Sequence, residues 1–182
     1  MELKDLITSC KKNDRRAQHE LFLRYRVSLF NISLKYCRNN KEAEDNLHDA
    51  FIIIFQSIKK YNDKGSFEGW MKRITINKAI DKFKKNIKSS KELPLNLKDD
   101  NIYLEDELKI SLDTLLKLIQ ELPDQYRLVF NLFQLDNYSH KEVAQLLSIS
   151  ENTSKSNYHR AKIILREKIS TLNNPNLKKK IS

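Results

Sequence analysis

Only 2 of the 182 residues are glycine and 3 are proline. That scarcity constrains the fold more than any other feature. A β-rich domain needs many tight turns, and tight turns take Gly, Pro, Asn or Asp at set positions. A chain this poor in Gly and Pro is built from long helices, and collagen-like or Gly/Pro low-complexity architectures are excluded. A glycine-rich phosphate loop is excluded too, because Gly65 and Gly69 alone cannot write GxGxxG or GxxxxGK[ST]. The length fits one or two small domains, and 40% hydrophobic residues suffice for a core.

Other classes drop out quickly. Met1 is followed by Glu2, Lys4 and Asp5 with no apolar stretch behind them, unlike a signal peptide. The longest apolar run, Ala50–Phe55, is far short of the ~20 residues that span a bilayer. A soluble, cytoplasmic protein without membrane insertion is expected. Cys10 and Cys37 show no CxxC spacing and read as buried, reduced thiols. His19, His48, His140 and His159 lie near no second His or Cys at ligand spacing, so neither a metal nor a cofactor is expected. There is no HExxH, no GxSxG and no comparable nucleophile constellation, so the chain is not expected to be an enzyme.

Charge is unevenly spread. Residues 1–88 hold 20 Lys+Arg and 11 Asp+Glu, residues 89–112 hold 3 and 6, and residues 113–182 hold 11 and 7, within a formal net charge of +10. Two basic blocks with an acidic divider suggest two domains and a linker. The divider contains Pro94, Asn96, Asp99, Asp100 and Asn101, lacks helical periodicity and reads as a flexible, hydrated connection. Basic surfaces favour polyanionic partners, whereas a merely soluble basic protein would spread its charge evenly.

In the first block, Asn13 or Asp14 can cap a helix reaching about Tyr36, with Ala17, Leu21, Tyr25, Leu29, Ile32 and Tyr36 as its buried stripe. Asn39 and Glu42 form a capping pair for the next helix. Its core face is Ala43, Leu47, Ala50, Phe51, Ile54, Phe55 and Ile58. Ile52 and Ile53 lie off that face, beside Asp45, Asp49 and Gln56. A helix apolar on two sides is buried twice, inside its own domain or against a partner, and a partner is favoured here. After the loop Asn62-Asp63-Lys64-Gly65, Ser66 caps a helix to about Lys85. Phe67, Trp70, Met71, Ile74, Ile80 and Phe83 give it a core side, and Lys72, Arg73, Lys78, Lys82, Lys84 and Lys85 fill much of the rest. A charge run alone is usually a solvated face. A basic helix behind a polar loop with aromatic neighbours also suits single-stranded nucleic acid, with cations on phosphates and a pocket for a base.

In the second block, Leu112, Leu115, Leu116, Ile119 and Leu122 mark an amphipathic helix. Pro123 suits the first turn of another that carries Tyr126, Val129, Phe130 and Phe133. Asp136-Asn137 is a turn, and Ser139-His140-Lys141-Glu142 is a capping box opening a helix with Val143, Ala144 and Leu147. Ser150 caps a last helix from Glu151 to about Leu172. Two helices joined by Ser148-Ile149-Ser150, with Ala144 small and Ile149 apolar, form a helix-turn-helix pattern. The second helix turns Asn152, Lys155, Ser156, His159 and Arg160 outward, toward base edges and phosphates. An ordinary helical hairpin explains the apolar spacing but not those polar, basic first turns.

These residues together resemble the extracytoplasmic-function (ECF) group of the sigma-70 family of bacterial RNA polymerase sigma factors, over nearly the whole chain. Glu42-Ala43-Glu44-Asp45 with His48-Asp49-Ala50-Phe51 is similar to the D-A-E-D…Q-D-x-F helix of sigma region 2. Phe67-Glu68-Gly69-Trp70-Met71-Lys72-Arg73-Ile74, then Asn77 and Asp81, resembles the helix that follows. Leu122-Pro123, Tyr138–Ala144, Ile149–Ser156 and His159–Lys162 resemble region 4. The family's turn glycine is Ser148 here, the Gly of S-E-G-T is Asn152, and the Gln before the region 2 Asp is His48. The first departure makes a positive φ less comfortable; the other two bear on base choice and polymerase contact.

The resemblance implies an all-α chain with region 2 at 1–88, a flexible acidic linker at 89–112 and the region 4 helix-turn-helix at 113–182. It implies core RNA polymerase, promoter DNA and an anti-sigma factor as partners. Carried onto this sequence, polymerase falls on Asp45, His48, Asp49, Ile52, Ile53 and Gln56. The downstream (−10) element and its melting fall on Asn62, Asp63, Lys64, Lys72, Arg73, Asn77 and Lys78. The upstream (−35) element falls on Ser150, Asn152, Thr153, Lys155, Ser156, His159 and Arg160. Two rivals stand beside this reading: a helix-turn-helix regulator whose N-terminal domain senses a signal or dimerises, and a basic protein-interaction module. The first leaves the 65–70 segment and its basic helix without a task.

Overall fold

The computed structural model describes residues 1–87 and 110–173. Those residues form eight α-helices and no strand: α1 (Leu3–Lys11), α2 (Arg15–Tyr36), α3 (Asn40–Ser57), α4 (Phe67–Ile87), α5 (Leu112–Gln120), α6 (Asp124–Phe130), α7 (His140–Leu147) and α8 (Glu151–Asn173). The all-α expectation is met. The chain divides into two compact units, Met1–Phe83 and Lys84–Ser182. The acidic stretch read as a linker lies outside the described residues, except that Ser111 caps α5 by accepting from Thr114 N at 3.1 Å. No described helix is long and apolar enough to cross a membrane.

Capping sets the helix starts of the first unit. Asp14 accepts from Ala17 N at 2.9 Å, Asn39 from Glu42 N at 2.9 Å, and Ser66 from Gly69 N at 3.0 Å. Each satisfies one of the orphan amides of a first turn. Glu42 reaches back to Arg38 N at 3.1 Å, completing the pair one residue earlier than a standard capping box. Helix α1 falls outside the helices read from the sequence, although Leu3, Leu6, Ile7 and Cys10 repeat at helical spacing. It closes one end of a core made by Leu6, Leu21, Leu29, Phe51, Ile54, Ile58 and Met71. Cys10 and Cys37 are buried, and burial pushes the Cys10 thiol up to about 11. A tighter 3₁₀ turn, Ile58–Lys60, ends the α3 segment before the loop at 62–65.

One polar group sits inside this apolar core. Asn46 is 0% exposed, and its amide donates to Ser33 Oγ of α2 at 3.1 Å and to the Thr75 carbonyl of α4 at 3.2 Å. Ser33 and Thr75 are themselves wholly buried, and each returns its hydroxyl to the carbonyl four residues back. Three helices are thus pinned at one level, because sliding or turning α3 would leave a buried amide without partners.

The second unit is held by a different buried group. Arg127, 3% exposed, donates to the Gln120 and Leu122 carbonyls at 3.0 and 2.9 Å and pairs with Asp124. It thereby satisfies carbonyls left over at the end of α5 and fixes the corner to α6. Around it, Leu118, Ile119, Leu122 and Tyr126 pack against Ala161, Leu165 and Ile169 of α8. Pro123 stands just before α6 rather than in its first turn: its ψ of 142° is extended, and its carbonyl accepts from Arg127 N at 2.9 Å. Phe133, expected on a continuous α-helix, lies instead in a π-helical segment, Asn131–Leu135, where Asp136 N reaches the Asn131 carbonyl at 3.0 Å.

Arg127→Met keeps much of the buried volume but removes the charge paired with Asp124 and the donor to the Gln120 and Leu122 carbonyls. Removing one partner of a buried pair costs about 3–5 kcal/mol, a large part of a small unit's stability. Denaturant unfolding of the full chain should show the second unit melting far earlier than in wild type, with amide exchange in α1–α4 little changed.

Candidate nucleic-acid and protein interfaces

Helix α3 carries the first surface. Asp45, His48, Asp49, Ile52, Ile53 and Gln56 repeat at three and four residues, so one stripe contains all six. Ala43, Ala50, Phe51 and Ile54 take the opposite, buried side. Ile52 is 55% exposed and Ile53 half-buried, so within the unit this stripe keeps apolar surface in water. Asp49 differs from its neighbours. It pairs with Lys78 at 3.4 Å and with Lys82 at 3.1 Å, both on α4. Partial burial raises its pKa, but the hydrogen bonds and charges of Lys82 and Lys78 outweigh that and hold the carboxyl below its ordinary value.

The second surface begins at the loop after α3. Asn62, Asp63, Lys64 and Gly65 are all exposed. Asp63 has φ 58° and Gly65 φ 87°, so the loop turns through the left-handed region twice. At Gly65 a side chain would have room but not a comfortable backbone. The loop rests on an aromatic floor: Tyr61 lies 5.0 Å from Phe67 and 5.4 Å from Trp70, ring centre to ring centre. Tyr61 donates its phenol to the Gly65 carbonyl at 2.8 Å, and Lys11 holds the Tyr61 carbonyl at 2.9 Å. Burial, with Asp63 adding to it, raises the Tyr61 pKa and keeps that phenol a donor.

On α4 behind this loop, the cations read together from sequence separate. Arg73 and Asn77 are exposed one turn apart. Lys78 is turned to Asp49, and Lys72 is half-buried with a contact of its own. The exposed strip behind the loop is therefore Arg73 with Asn77, flanked by Lys84 and Lys85 further along.

The third surface is the helix-turn-helix. The capping box is present: Ser139 N donates to Glu142 at 2.8 Å and Glu142 N to Ser139 Oγ at 3.2 Å. Those bonds pull the Glu142 carboxyl below its ordinary pKa. Ser148 adopts φ 59°, the conformation that a turn glycine would take without strain. Ser150 caps α8, accepting from Thr153 N at 3.0 Å, while its hydroxyl meets that of Thr153 at 2.7 Å. Asn152, Ser156 and His159 follow at i, i+4 and i+7 as an exposed stripe. Lys155 is exposed and paired with Glu151 at 2.9 Å. Arg160 is half-buried and donates to the Tyr126 phenol at 3.3 Å, so it ties α8 to α6.

On the inner side of α8, away from this stripe, is a group absent from the sequence-derived candidates. His140, which opens α7, stacks on Phe133 and meets Ser154 of α8. Burial and the Lys155 charge lower the His140 pKa, against a smaller opposing pull from Glu151. A base with a lowered native pKa takes its proton first in the unfolded chain, so stability is whole above the unfolded value and is lost as pH falls below it. Amide exchange in α7 and α8 should accelerate as pH falls below about 6.5, after correction for intrinsic rates. In His140→Phe that pH dependence should flatten.

Known proteins match both units. The family model described as Sigma-70 region 2 matches residues 21–88, and that described as Sigma-70, region 4 matches residues 112–165. The ECF RNA polymerase sigma factor SigW of Bacillus subtilis (strain 168) is 28% identical over 186 aligned positions, covering 94% of this chain and 99% of its own. The ECF RNA polymerase sigma-E factor of Escherichia coli (strain K12) is 23% identical over 183, covering 92% and 94%. Among solved structures, the sigma factor RpoE from Bartonella quintana, in complex with the anti-sigma factor NepR, shares the fold at a TM-score of 0.51 and 15% identity, over 82% of this chain and 94% of that one. Two region models in order, covering well over half the chain, and full-length relatives give the same answer: the chain belongs to the sigma-70 family of RNA polymerase sigma factors, in its ECF group.

Proposed function

We propose that the chain acts in the cytoplasm as the promoter-specificity subunit of RNA polymerase, without catalysing a reaction itself. In this reading the α3 stripe docks core polymerase. The 62–65 loop and the start of α4 take the melted downstream element, and α8 reads the upstream element in duplex. The first domain is 1–88, the linker 89–112 and the second domain 113–182. The Bartonella relative forms a complex with an anti-sigma factor, and a partner of that kind is proposed here too.

The observation that carries the reading is the loop at 62–65. An exposed, twice left-handed loop on a floor of Tyr61, Phe67 and Trp70, followed by Arg73 and Asn77, has the elements for holding an unstacked base and its strand. A helix-turn-helix repressor binds its duplex without any such device. The exposed Ile52 is the second support, because a regulator that works without polymerase would bury it only by dimerising.

Two variants test the parts separately. Ile53→Glu places a charge in the α3 stripe away from the core. It should weaken capture of core polymerase by about tenfold or more, as for a truncated hot spot of ~2 kcal/mol, while circular dichroism stays native. Wild-type binding by the folded variant would contradict docking there. Arg73→Ala with Asn77→Ala leaves the Asp49 bridges intact. It should still bind core polymerase and protect the upstream element, yet open paired promoter DNA about tenfold more slowly. A template carrying a pre-melted bubble should restore most of its transcription. Normal permanganate reactivity of thymines on fully paired DNA would remove the melting assignment.

A further inference from the structure

Ser154 is an anomaly on α8. It is 0% exposed, yet it sits among the outward residues Asn152, Lys155 and Ser156. Its hydroxyl lies 2.9 Å from His140 Nδ1, across from α8 to the first turn of α7. The imidazole in turn lies flat on the Phe133 ring, with centres 3.9 Å apart and planes within 10°. One turn further along α8, Tyr158 packs 4.7 Å from Phe133 and 5.9 Å from His140, and its phenol donates to Gln134. Phe133 and Gln134 belong to the π-helical segment, whose wider turn rotates them relative to an α-helical course. Three elements therefore meet on one side of the recognition helix.

That side is nearly opposite the reading stripe. At about 100° per residue, Ser154 points ~200° away from Asn152 and ~200° away from Ser156. A rotation of α8 by ~20° about its axis moves side-chain tips at a radius of ~6 Å by ~2 Å. Hydrogen bonds to base edges tolerate only a few tenths of an ångström. Apolar packing permits such rotations more readily than a buried directional bond does. We propose that His140 is a positioning residue for sequence readout: held by Phe133, it fixes the rotation of α8 through the Ser154 hydroxyl, and so determines which bases Asn152 and Ser156 accept. The proposal rests on the reading of α8 as the upstream-element helix.

The test uses the full chain with core polymerase. Wild type first selects preferred upstream elements from duplexes randomised in that segment; affinity for the selected element over a scrambled one is then compared across variants. His140→Phe keeps the stack but not the bond. Ser154→Ala removes the other partner; in His140→Phe the remaining serine can turn its hydroxyl to the carbonyl four residues back, and in Ser154→Ala no buried hydroxyl is left, so both variants can fold. Each should lower the ratio about tenfold, the scale of one lost base contact, with binding to scrambled DNA changed less than about twofold. The double variant should lose no more than either single one, because both remove the same bond. His140→Asn, whose amide nitrogen stands near the position of Nδ1, should recover most of the ratio. If His140→Phe does not fold, Ser154→Ala and the asparagine variant still decide. Folded variants with the wild-type ratio, or a loss that follows thermal stability alone with no rescue by asparagine, would overturn the positioning role. A wild-type complex with no upstream preference would instead overturn the reading of α8 itself, and this proposal with it.

Discussion

The first unit depends on where α3 sits between α2 and α4, and the Asn46 amide decides that. Apolar contacts alone permit a helix to slide or turn among near-equivalent packings. A wholly buried amide whose two N–H donors both find acceptors at one register does not. With Asn46 facing inward, Ala43, Ala50, Phe51 and Ile54 follow it, and Asp45, His48, Ile52 and Gln56 are left outward. The proposed polymerase surface is thus the geometric remainder of a core constraint. Its apolar members are no sign of a badly filled interior, because the positions that face the core are already taken.

In the second unit the same logic is applied to loop geometry. Arg127 gathers the Gln120 and Leu122 carbonyls and the Asp124 carboxylate, and Arg160 reaches from α8 to Tyr126 on α6. An arginine read from the sequence among the outward residues of α8 is therefore partly occupied in holding the helix that presents the others. A guanidinium has five donors, so one bond to a phenol leaves others outward. On the proposed function, the exposed stripe of Asn152, Ser156 and His159 faces the base edges, with the exposed Lys155 on the same helix.

Much of this was legible in the chain. Asp14, Asn39, Ser66, Ser139 and Ser150 announce five helix starts by type and spacing, and each accepts the expected amide. Caps are local, so sequence order alone exposes them. What stayed hidden depends on contacts between elements. Asn46 reads as one more polar residue on a helix, and nothing nearby in sequence tells that Ser33 and the Thr75 carbonyl will meet it. The π-helical turn at Asn131–Leu135 has no propensity signature, so the α-helical period alone puts Phe133 on the wrong course. His140 reads from sequence as a capping-box member and a histidine without ligand neighbours, because its stack and its bond both cross between elements. Helix α1 is the one omission with a local signal, because its four apolar residues have the right spacing but stand in only nine positions.

The cations of α4 show why a net charge is a poor guide to a binding surface. Residues 1–88 carry an excess of nine positive charges, 20 against 11. Asp49 nevertheless engages two of the lysines, Lys78 and Lys82, at the boundary between α3 and α4. Partly exposed pairs of this sort add little stability, but they reshape the field. A carboxylate between two ammonium groups leaves a local charge of about +1 where the two lysines alone would give +2. Arg73, by contrast, is exposed on the same helix. Because Asp49 belongs to the α3 stripe and its partners to α4, any molecule that competes for this carboxylate also changes the charge presented by α4. On the proposed function, these two surfaces meet polymerase and single-stranded promoter DNA, and the shared carboxylate makes their electrostatics one system.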